Sequence, residues 1–181
     1  MSTKTTTVNL FGGPGTGKST TAAYVFALLK LRGVNAELVP EYAKRKVWEE
    51  SIKGVARNQL YIFAKQQHAV FCCLGKVDVV VTDSPLLLSL HHGAGLSKSF
   101  KALVLEEALK QNPLNIFLLR AKTYNPTGRT ETEEEAKRID VSIRNILDLE
   151  GIPYQHLAAN ENAAHKIVEI LEEKGIIPKK E

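Results

Sequence analysis

The chain has 181 residues, of which 44% are hydrophobic, so it can form one domain of ordinary size with a substantial core. The net charge of +4 permits an anionic ligand or a nucleic acid but requires neither. No apolar run approaches the roughly 20 residues of a membrane span, and the polar N-terminus lacks the apolar segment of a secretion signal. We therefore expect a cytoplasmic protein with no membrane partner, in which the adjacent Cys72 and Cys73 are unpaired, buried thiols.

Apolar, β-branched runs alternate with helical patterns along the chain. The pattern predicts strands over residues 6–11, 35–39, 77–83, 115–119 and 154–157. It predicts helices over residues 18–31, 42–50, 57–74, 99–110, 132–149 and 162–174. This alternation is typical of an α/β fold, a parallel sheet with helices on both faces. Ligands bind beyond the carboxyl ends of the strands in such sheets, so the residues that follow each strand are candidates for a site.

The segment NLFGGPGTGKST, residues 9–20, joins the first predicted strand to the first predicted helix. It contains the pattern G-x-x-x-x-G-K-[ST] of a phosphate-binding loop. Glycines let backbone amides approach phosphate oxygens, and the following helix adds the positive end of its dipole. Lys18 would contact the β and γ phosphates, and the Ser19 hydroxyl can ligate Mg²⁺. The predicted nucleotide-binding residues are Gly13, Pro14, Gly15, Thr16, Gly17, Lys18, Ser19 and Thr20, together with Arg120 after the fourth strand.

Several classes of protein use this loop, and the rest of the chain favours one of them. No N-K-x-D guanine signature follows the fourth predicted strand, which argues against a GTPase. The chain is also shorter than a typical AAA+ ATPase with its helical lid domain. A small kinase remains, in which a hydroxyl of a second substrate attacks the γ-phosphoryl group, with ATP and Mg²⁺ as cofactors.

Two carboxylates follow predicted strands and suit the acceptor side of a kinase. Glu41 follows the second strand and could accept a proton from the attacking hydroxyl or bind a sugar hydroxyl. Arg45 lies one helical turn further and could face the same cleft. Asp83 ends the third strand and could hold Mg²⁺ together with Ser19, or act as the base. The sequence leaves open which carboxylate is the base.

The polar segment over residues 121–133 is expected to be a mobile lid. Arg129 near its tip is the first candidate for the cation that stabilises the transferring phosphoryl group. Arg138 on the next predicted helix is the second candidate, whereas Arg144 is expected only to pair with glutamates on a solvated face. The alternative is that these arginines only pair with the glutamates between residues 131 and 135 on a solvated face.

Other residues could contact the acceptor. His91 and His92 follow Pro85 in a predicted loop, and either an acceptor pocket or a surface loop would explain them. Aromatic rings stack on nucleobases, although buried rings are more often part of a core, so Tyr42 and Tyr61 are further candidates. Within the predicted helix 57–74, the expected apolar face consists of Leu60, Phe63, Ala64 and Val70. The expected acceptor-facing residues are Arg57, Gln59, Tyr61 and Gln66.

The order of these features resembles the P-loop ATPase and kinase group typified by the ribosylnicotinamide kinase domain of bacterial NAD-regulator proteins, to which many phage proteins of this size belong. The matching stretches are GGPGTGKST, PEYAKR, QLYIFAKQQ, VVTDSP and YNPTGRTETEEEAKRID. The resemblance implies a nucleoside-kinase-like sheet in the order 2-3-1-4-5, Mg²⁺ and ATP, Glu41 and Asp83 on the acceptor side, and Arg129 in the lid. The stretch SPLLLSLHHG departs from the ribosylnicotinamide kinases, so the acceptor can differ.

We therefore expect a P-loop NTPase three-layer sandwich in a single domain over residues 1–181, as a monomer or homodimer. The expected activity is an ATP-dependent kinase acting on a hydroxyl of a nucleoside- or nucleotide-like small molecule. One open alternative is a kinase that acts on a hydroxymethylated base in DNA, for which a salt-dependent affinity for DNA would be the sign. The other is an ATP-binding switch or accessory ATPase whose output is a partner interaction.

Overall fold

Strands and helices alternate through the residues that the computed structural model describes, which are 5–48, 58–93, 95, 97–125 and 131–179, without the side chains of 45, 47 and 48. The strands are β1 (Thr6–Phe11), β2 (Ala36–Val39), β3 (Val79–Thr82), β4 (Pro113–Leu119) and β5 (Gln155–Ala158). The helices are α1 (Lys18–Leu31), α2 (Tyr42–Trp48), α3 (Gln59–Phe71), α4 (Leu88–His92), α5 (Lys98–Lys110), α6 (Glu133–Leu149) and α7 (Ala163–Glu173).

The strands form one parallel sheet in the order β2-β3-β1-β4-β5, which confirms the predicted order. In its centre, Val8 of β1 lies opposite Val81 of β3 on one side and Leu114 of β4 on the other. Every residue of β1 is buried, as a central strand covered on both faces requires. Because all the strands run the same way, the residues after β1, β2, β3 and β4 meet along one edge of the sheet.

Helices cover both faces of the sheet and give the predicted three-layer sandwich. Leu10 of β1 packs into a core with α1 and α7, whereas the next residue, Phe11, packs into the core on the opposite face. This division follows from the two-residue period of a strand. The core with α1 and α7 contains Val25, Leu29, Ile167, Val168 and Leu171. The opposite core contains Phe63, Leu90, Phe100, Val104, Phe117, Ile143 and Leu147.

Two helix boundaries follow the signals in the sequence. The Thr132 side chain accepts a hydrogen bond from the Glu135 amide, while the Glu135 carboxylate accepts one from the Thr132 amide, which is the predicted capping box of α6. Gly33 follows α1 with φ +73°, in the left-handed region where glycine ends a helix without strain. Among the described residues, no helix is both long and apolar enough to cross a membrane.

The prediction of a loop leading to His91 and His92 is wrong, because residues 88–92 form the short helix α4. Leu86, Leu87 and Leu90 are buried in the core around Phe11 and Phe117, and this packing holds the helix in place. β3 is also shorter than the predicted 77–83, since the strand pairing covers Val79–Thr82. Asp83 therefore lies just beyond the strand rather than at its last position.

The predicted burial along α3 is only partly right. Phe63, Gln66 and Val70 form the buried stripe, whereas Leu60 and Ala64 are exposed because they lie to one side of it. Asn58 begins the helix, since its side chain accepts a hydrogen bond from the Tyr61 amide at 3.1 Å.

The two cysteines follow α3. Both are unpaired, as predicted, but Cys72 is exposed and Cys73 is half-buried, so the prediction of two buried thiols is wrong. The Cys72 Sγ lies 3.6 Å from His68 Nε2, one turn earlier on the same side of α3.

Candidate active site

The glycine-rich loop lies between the buried end of β1 and the start of α1. Gly12, Gly15 and Gly17 have φ values of +138°, +80° and +99°, which side chains rarely tolerate. Gly17 is the N-cap of α1 and has no side chain with which to accept a hydrogen bond from the first helical amides. Those amides, together with the positive end of the helix dipole, remain for an anion.

Lys18 lies at the mouth of this loop. Its Nζ donates to the backbone oxygens of Gly12 at 2.6 Å and Gly13 at 3.0 Å. Burial lowers the pKa of the Lys18 ammonium, while the nearby carboxylates of Glu41 and Asp83 oppose that shift. The ammonium is therefore held by neutral carbonyl groups, which the oxygens of a phosphate can replace.

Asp83 connects the end of β3 with the start of α1. Its Oδ2 accepts a hydrogen bond from the Ser19 hydroxyl at 2.5 Å, and its Oδ1 accepts one from the Glu41 amide at 2.9 Å. The residue is only 4% exposed. β3 lies beside β1, and this arrangement brings Asp83 to the phosphate loop, as the sequence predicted.

The oxygens of Ser19 and Asp83 fit Mg²⁺, which prefers hard oxygen ligands. Within the described ranges, no group of three or more His, Cys, Asp and Glu side chains could enclose a metal ion. A magnesium ion at this position would therefore complete its coordination with phosphate oxygens and water, as is usual for Mg²⁺ in phosphoryl transfer.

Glu41 follows β2 at the same edge of the sheet. Burial raises the pKa of its carboxyl group, Lys18 opposes the rise, and the Asp83 carboxylate adds to it. The hydrogen bond from the Glu41 amide to Asp83 holds this residue beside the aspartate. A carboxyl group with a raised pKa is suited to accepting a proton from a hydroxyl.

Tyr42 follows Glu41 in the chain, and its side chain contacts that of Tyr61. The hydroxyl oxygens of Tyr42 and Tyr61 are 2.9 Å apart, and the rings meet edge to face. Gln66, which is buried, accepts a hydrogen bond from the Tyr42 amide at 3.0 Å and so fixes the start of α2. Lys46 and Lys65 place their ammonium groups 5.6 Å and 5.5 Å from the Tyr42 and Tyr61 ring centres.

Arg120 contacts the phosphate loop from the other side. Its Nε donates to Asp140 Oδ2 at 2.5 Å, its Nη1 to the Pro14 carbonyl at 2.8 Å, and its Nη2 to the Ala136 carbonyl at 3.1 Å. The other oxygen of Asp140 accepts a hydrogen bond from the Gly13 amide at 2.5 Å. Arg120 thus lies at the predicted nucleotide site, and in the structure its partners are protein groups.

Asp140 was not among the residues predicted from the sequence. It belongs to the buried stripe of α6, with Ala136, Ile143 and Leu147. A carboxylate in an apolar stripe is unfavourable unless it is paired, so its position in the helical pattern was a signal of a specific partner.

The segment predicted as a lid is described up to residue 125 and again from residue 131. Tyr124 contacts the phosphate loop, since a Cβ at Gly15 would lie 2.9 Å from Tyr124 Cε2. The Tyr124 hydroxyl donates to the Glu131 carbonyl at 2.5 Å. The two ends of the segment are therefore joined next to the loop. Arg129, the predicted catalytic cation, lies outside the described residues.

The remaining predicted arginines lie in different environments. Arg138 is exposed on α6, where it acts electrostatically on the carboxylate of Glu135. The Arg144 guanidinium lies 5.7 Å from the centre of the buried Phe117 ring, rather than against the glutamates with which it was predicted to pair. Arg57 and the side chain of Arg45 are outside the described part of the chain.

The two histidines end α4, and their ring centres are 5.0 Å apart. His91 Nδ1 lies 2.9 Å from the Ser142 hydroxyl of α6, which fixes that ring. His92 keeps contact with solvent. Its pKa is nevertheless lowered to about 4, mainly by desolvation and further by the charges of His91 and Lys18. This lowered pKa favours the neutral form of the His92 imidazole.

Two cavities differ in their relation to these residues. A small one, of about 60 Å³, adjoins the loop and is lined by Gly17, Thr20, Thr21, Tyr24, Lys122, Ala159, Asn160, Glu161 and Ala164. A larger one, of about 710 Å³, is lined in part by Arg32, Asp78 and His165, and no predicted site residue lines it. The candidate site is thus identified by its chemistry rather than by the size of a cavity.

Comparison with known proteins supports the assignment of the loop. A family model described as an AAA domain matches residues 7–163. The match extends from β1 to the first residue of α7 and includes the loop, Glu41, Asp83, Arg120 and Asp140. No curated protein matches the chain.

Proposed function

Because the chain belongs to the AAA-domain family, whose members carry a P-loop, we propose that it is an ATP-dependent kinase acting on a hydroxyl of a nucleoside- or nucleotide-like acceptor. The observation that carries this proposal is the connection of Ser19, Asp83 and Glu41 by hydrogen bonds at one edge of the sheet. The bond from the Glu41 amide fixes the Glu41 backbone beside Asp83, and the Glu41 carboxyl group, whose pKa is raised, would meet the hydroxyl of a second substrate there.

The family assignment corrects one argument from the sequence. The shortness of the chain separated it from typical AAA+ ATPases, but the matched family is itself an AAA family, so length alone was too strong a criterion. The order β2-β3-β1-β4-β5 is the one expected from the resemblance to nucleoside kinases. Since one fold serves several reactions, this order supports the P-loop fold and leaves the choice between transfer and hydrolysis to the site residues.

On the nucleotide side, Lys18 and the loop amides would bind the β and γ phosphates. Ser19 and Asp83 would hold Mg²⁺, which neutralises phosphate charge as the γ-phosphoryl group transfers. Lys18 would leave the carbonyls of Gly12 and Gly13 for phosphate oxygens. The exchange keeps its partly desolvated charge paired throughout.

On the acceptor side, Glu41 would orient the hydroxyl and take its proton. Asp83 is the less suitable base because both of its oxygens already accept hydrogen bonds. Tyr42, Tyr61 and the neutral His92 lie near Glu41 or Lys18 and would form the walls of the acceptor site. Arg129, in a lid over residues 121–133, would supply the cation over the transferring group, with Arg138 as the second candidate.

The two lysines on the Tyr42 and Tyr61 rings favour a second kind of acceptor. Aromatic rings with cations over them bind bases and the charged backbone of single-stranded nucleic acid. A kinase that acts on a hydroxymethylated base in DNA would use the same Glu41 and the same phosphate loop.

A transfer assay tests these proposals. The protein is incubated with γ-labelled ATP, Mg²⁺ and a panel of nucleosides, nucleotides, and DNA with and without hydroxymethylated bases. A labelled phosphate ester that the Lys18→Ala variant does not form supports the kinase and identifies the acceptor. Transfer to DNA that weakens steeply with salt favours the DNA kinase. ATP hydrolysis that no acceptor changes contradicts both and favours an ATP-binding switch or accessory ATPase.

A further inference from the structure

The front of the phosphate loop is held by residues from the far side of the sheet. A Cβ at Gly13 would lie 2.7 Å from the Ala136 carbonyl, 2.9 Å from Asp140 Oδ1 and 3.1 Å from Arg120 Nη2. The approach of α6 to the loop is therefore so close that only glycine fits at position 13.

Arg120 and Asp140 form an ion pair at this contact, and both side chains also bond to backbone groups. Three nitrogens of Arg120 donate to three different acceptors, and both oxygens of Asp140 accept. The side chains of Arg120 and Asp140 are only 15% and 12% exposed. Burying an ion pair contributes little net stability, so a pair with this geometry is better explained by the position it imposes on its neighbours.

Arg120 and Asp140 bind the Gly13 amide and the Pro14 carbonyl, two backbone groups that would not bind a phosphate. The Gly13 amide donates to Asp140, and Pro14 has no amide hydrogen. The Pro14 carbonyl would repel an anion if it turned into the loop, and Arg120 Nη1 holds that oxygen by a hydrogen bond. The Thr16 amide donates to the Gly13 carbonyl at 3.4 Å. The amides of Gly15, Gly17, Lys18 and Ser19 are then left to face the phosphates.

We propose that Asp140 and Arg120 are positioning residues that keep Gly13 and Pro14 in the anion-binding conformation, acting through the loop without touching the nucleotide. The inference rests only on the nucleotide-binding half of the proposed function. The sequence predicted that Arg120 contacts the nucleotide. The inference instead assigns Arg120 an indirect role, through the backbone of the loop.

A double-mutant cycle tests the inference. The dissociation constant for Mg·ADP is measured by calorimetry on Arg120→Ala, Asp140→Ala, the double variant and the unchanged protein. The control is Lys137→Ala, because Lys137 is also on α6 but pairs with Glu133 on the exposed face. We expect each single variant to weaken ADP binding at least about tenfold, and the double variant to bind within about threefold of the weaker single variant. Lys137→Ala should bind like the unchanged protein.

A conservative pair of variants covers the risk that the alanine variants do not fold. Asp140→Asn keeps an oxygen for the Gly13 amide but loses the charge that pairs with Arg120. Arg120→Lys keeps the charge but cannot reach three acceptors at once. Both should bind ADP with affinities between those of the unchanged protein and the alanine variants.

Two results overturn the inference. If the variants lower the unfolding temperature while the folded protein binds ADP with unchanged affinity, the pair only stabilises the fold. If Arg120→Ala weakens binding as much in the Asp140→Ala background as in the unchanged protein, Arg120 contacts the nucleotide directly. The proposed kinase fails separately, since a protein that binds ADP but labels no acceptor contradicts the kinase and not the positioning role.

Discussion

The Ser19 hydroxyl lies 2.5 Å from the Asp83 carboxylate and joins the first turn of α1 to the end of β3. The two residues are 64 positions apart in the chain. They meet because β3 pairs directly with β1, whose end begins the phosphate loop. Two oxygens suited to one metal ion are thereby set next to the loop.

Replacing Asp83 by Asn should impair the use of Mg²⁺ more than the fold. The amide keeps an oxygen for one of the two hydrogen bonds but removes the charge that attracts the metal. We expect phosphoryl transfer to fall by about 10²–10³-fold, with a higher Mg²⁺ concentration needed for half-maximal rate. Initial rates over a magnesium titration measure both effects. Asp78→Asn, at the opposite end of β3, is the matched control, and equal losses in the two variants would contradict the assignment.

Replacing Lys18 by Met should separate activity from stability. Burial lowers the pKa of Lys18, so its charged form opposes folding, and an apolar side chain of similar length removes that opposition. We expect the rate of transfer to fall roughly 10³-fold, which corresponds to a loss of several kcal/mol of transition-state stabilisation. The unfolding temperature should stay the same or rise. Lys30→Met, near the end of α1, controls for the loss of a helical lysine. A Lys18→Met protein that retains transfer would show that the loop does not act on the γ phosphate.

Glu41→Gln tests the base, and we expect it to slow transfer while it stabilises the fold at neutral pH. The folded-state pKa of Glu41 is raised, so its contribution to stability is complete below the unfolded-state pKa and is lost as pH rises through the folded-state pKa. Gln carries no charge at any pH. We therefore expect Glu41→Gln to raise the unfolding temperature at neutral pH by a few degrees, which corresponds to about 1 kcal/mol in the free energy of unfolding. The advantage should disappear in acid. Thermal melts of both proteins over a pH series measure it.

The same variant predicts a change in the pH dependence of transfer. The unchanged enzyme should lose kcat/KM in acid as Glu41 takes up a proton, with a midpoint above the ordinary glutamate value of 4.5. Glu41→Gln should be slower by about 10²–10⁴-fold and should lack this acidic limb. Glu37→Gln, on the exposed side of β2, should behave like the unchanged protein. An acidic limb that persists in Glu41→Gln would transfer the role of base to Asp83.

The fold could be predicted wherever the signal was local or strictly periodic. The alternation of strands and helices, the glycines of the loop and the capping box of Thr132 and Glu135 are all readable over a few residues. Helix α4 was missed because five residues have no helical pattern of their own. Its stability comes from the burial of Leu86, Leu87 and Leu90 in a core that several distant segments build.

The candidate site shows the same division. Lys18, Ser19 and Asp83 could be proposed from the sequence because their chemistry is tied to a motif or to the end of a strand. Asp140 was missed because it contacts Gly13 across 127 residues, and only the packing of α6 brings the two together. The exposure of Cys72 was also unpredictable, since it depends on where α3 ends relative to the sheet.

A pair of glycine substitutions separates the strain of the phosphate loop from its contacts. Gly33 has φ +73°, and among the described residues no atom beyond its chain neighbours lies within 4 Å of where a Cβ would be. Gly33→Ala should therefore lower the free energy of unfolding by about 1–2 kcal/mol through backbone strain alone.

Gly15 has a similar φ of +80°, but its Cβ would lie 2.9 Å from Tyr124 Cε2 and 3.0 Å from Cδ2. Gly15→Ala should show the same strain and also weaken Mg·ADP binding by about tenfold or more, because the loop or the tyrosine must move. Adding Tyr124→Ala should recover part of that affinity but none of the strain. Chemical denaturation and ADP calorimetry on the variants measure the two effects, and a Gly15→Ala protein with normal ADP affinity would mean that the contact with Tyr124 does not shape the loop.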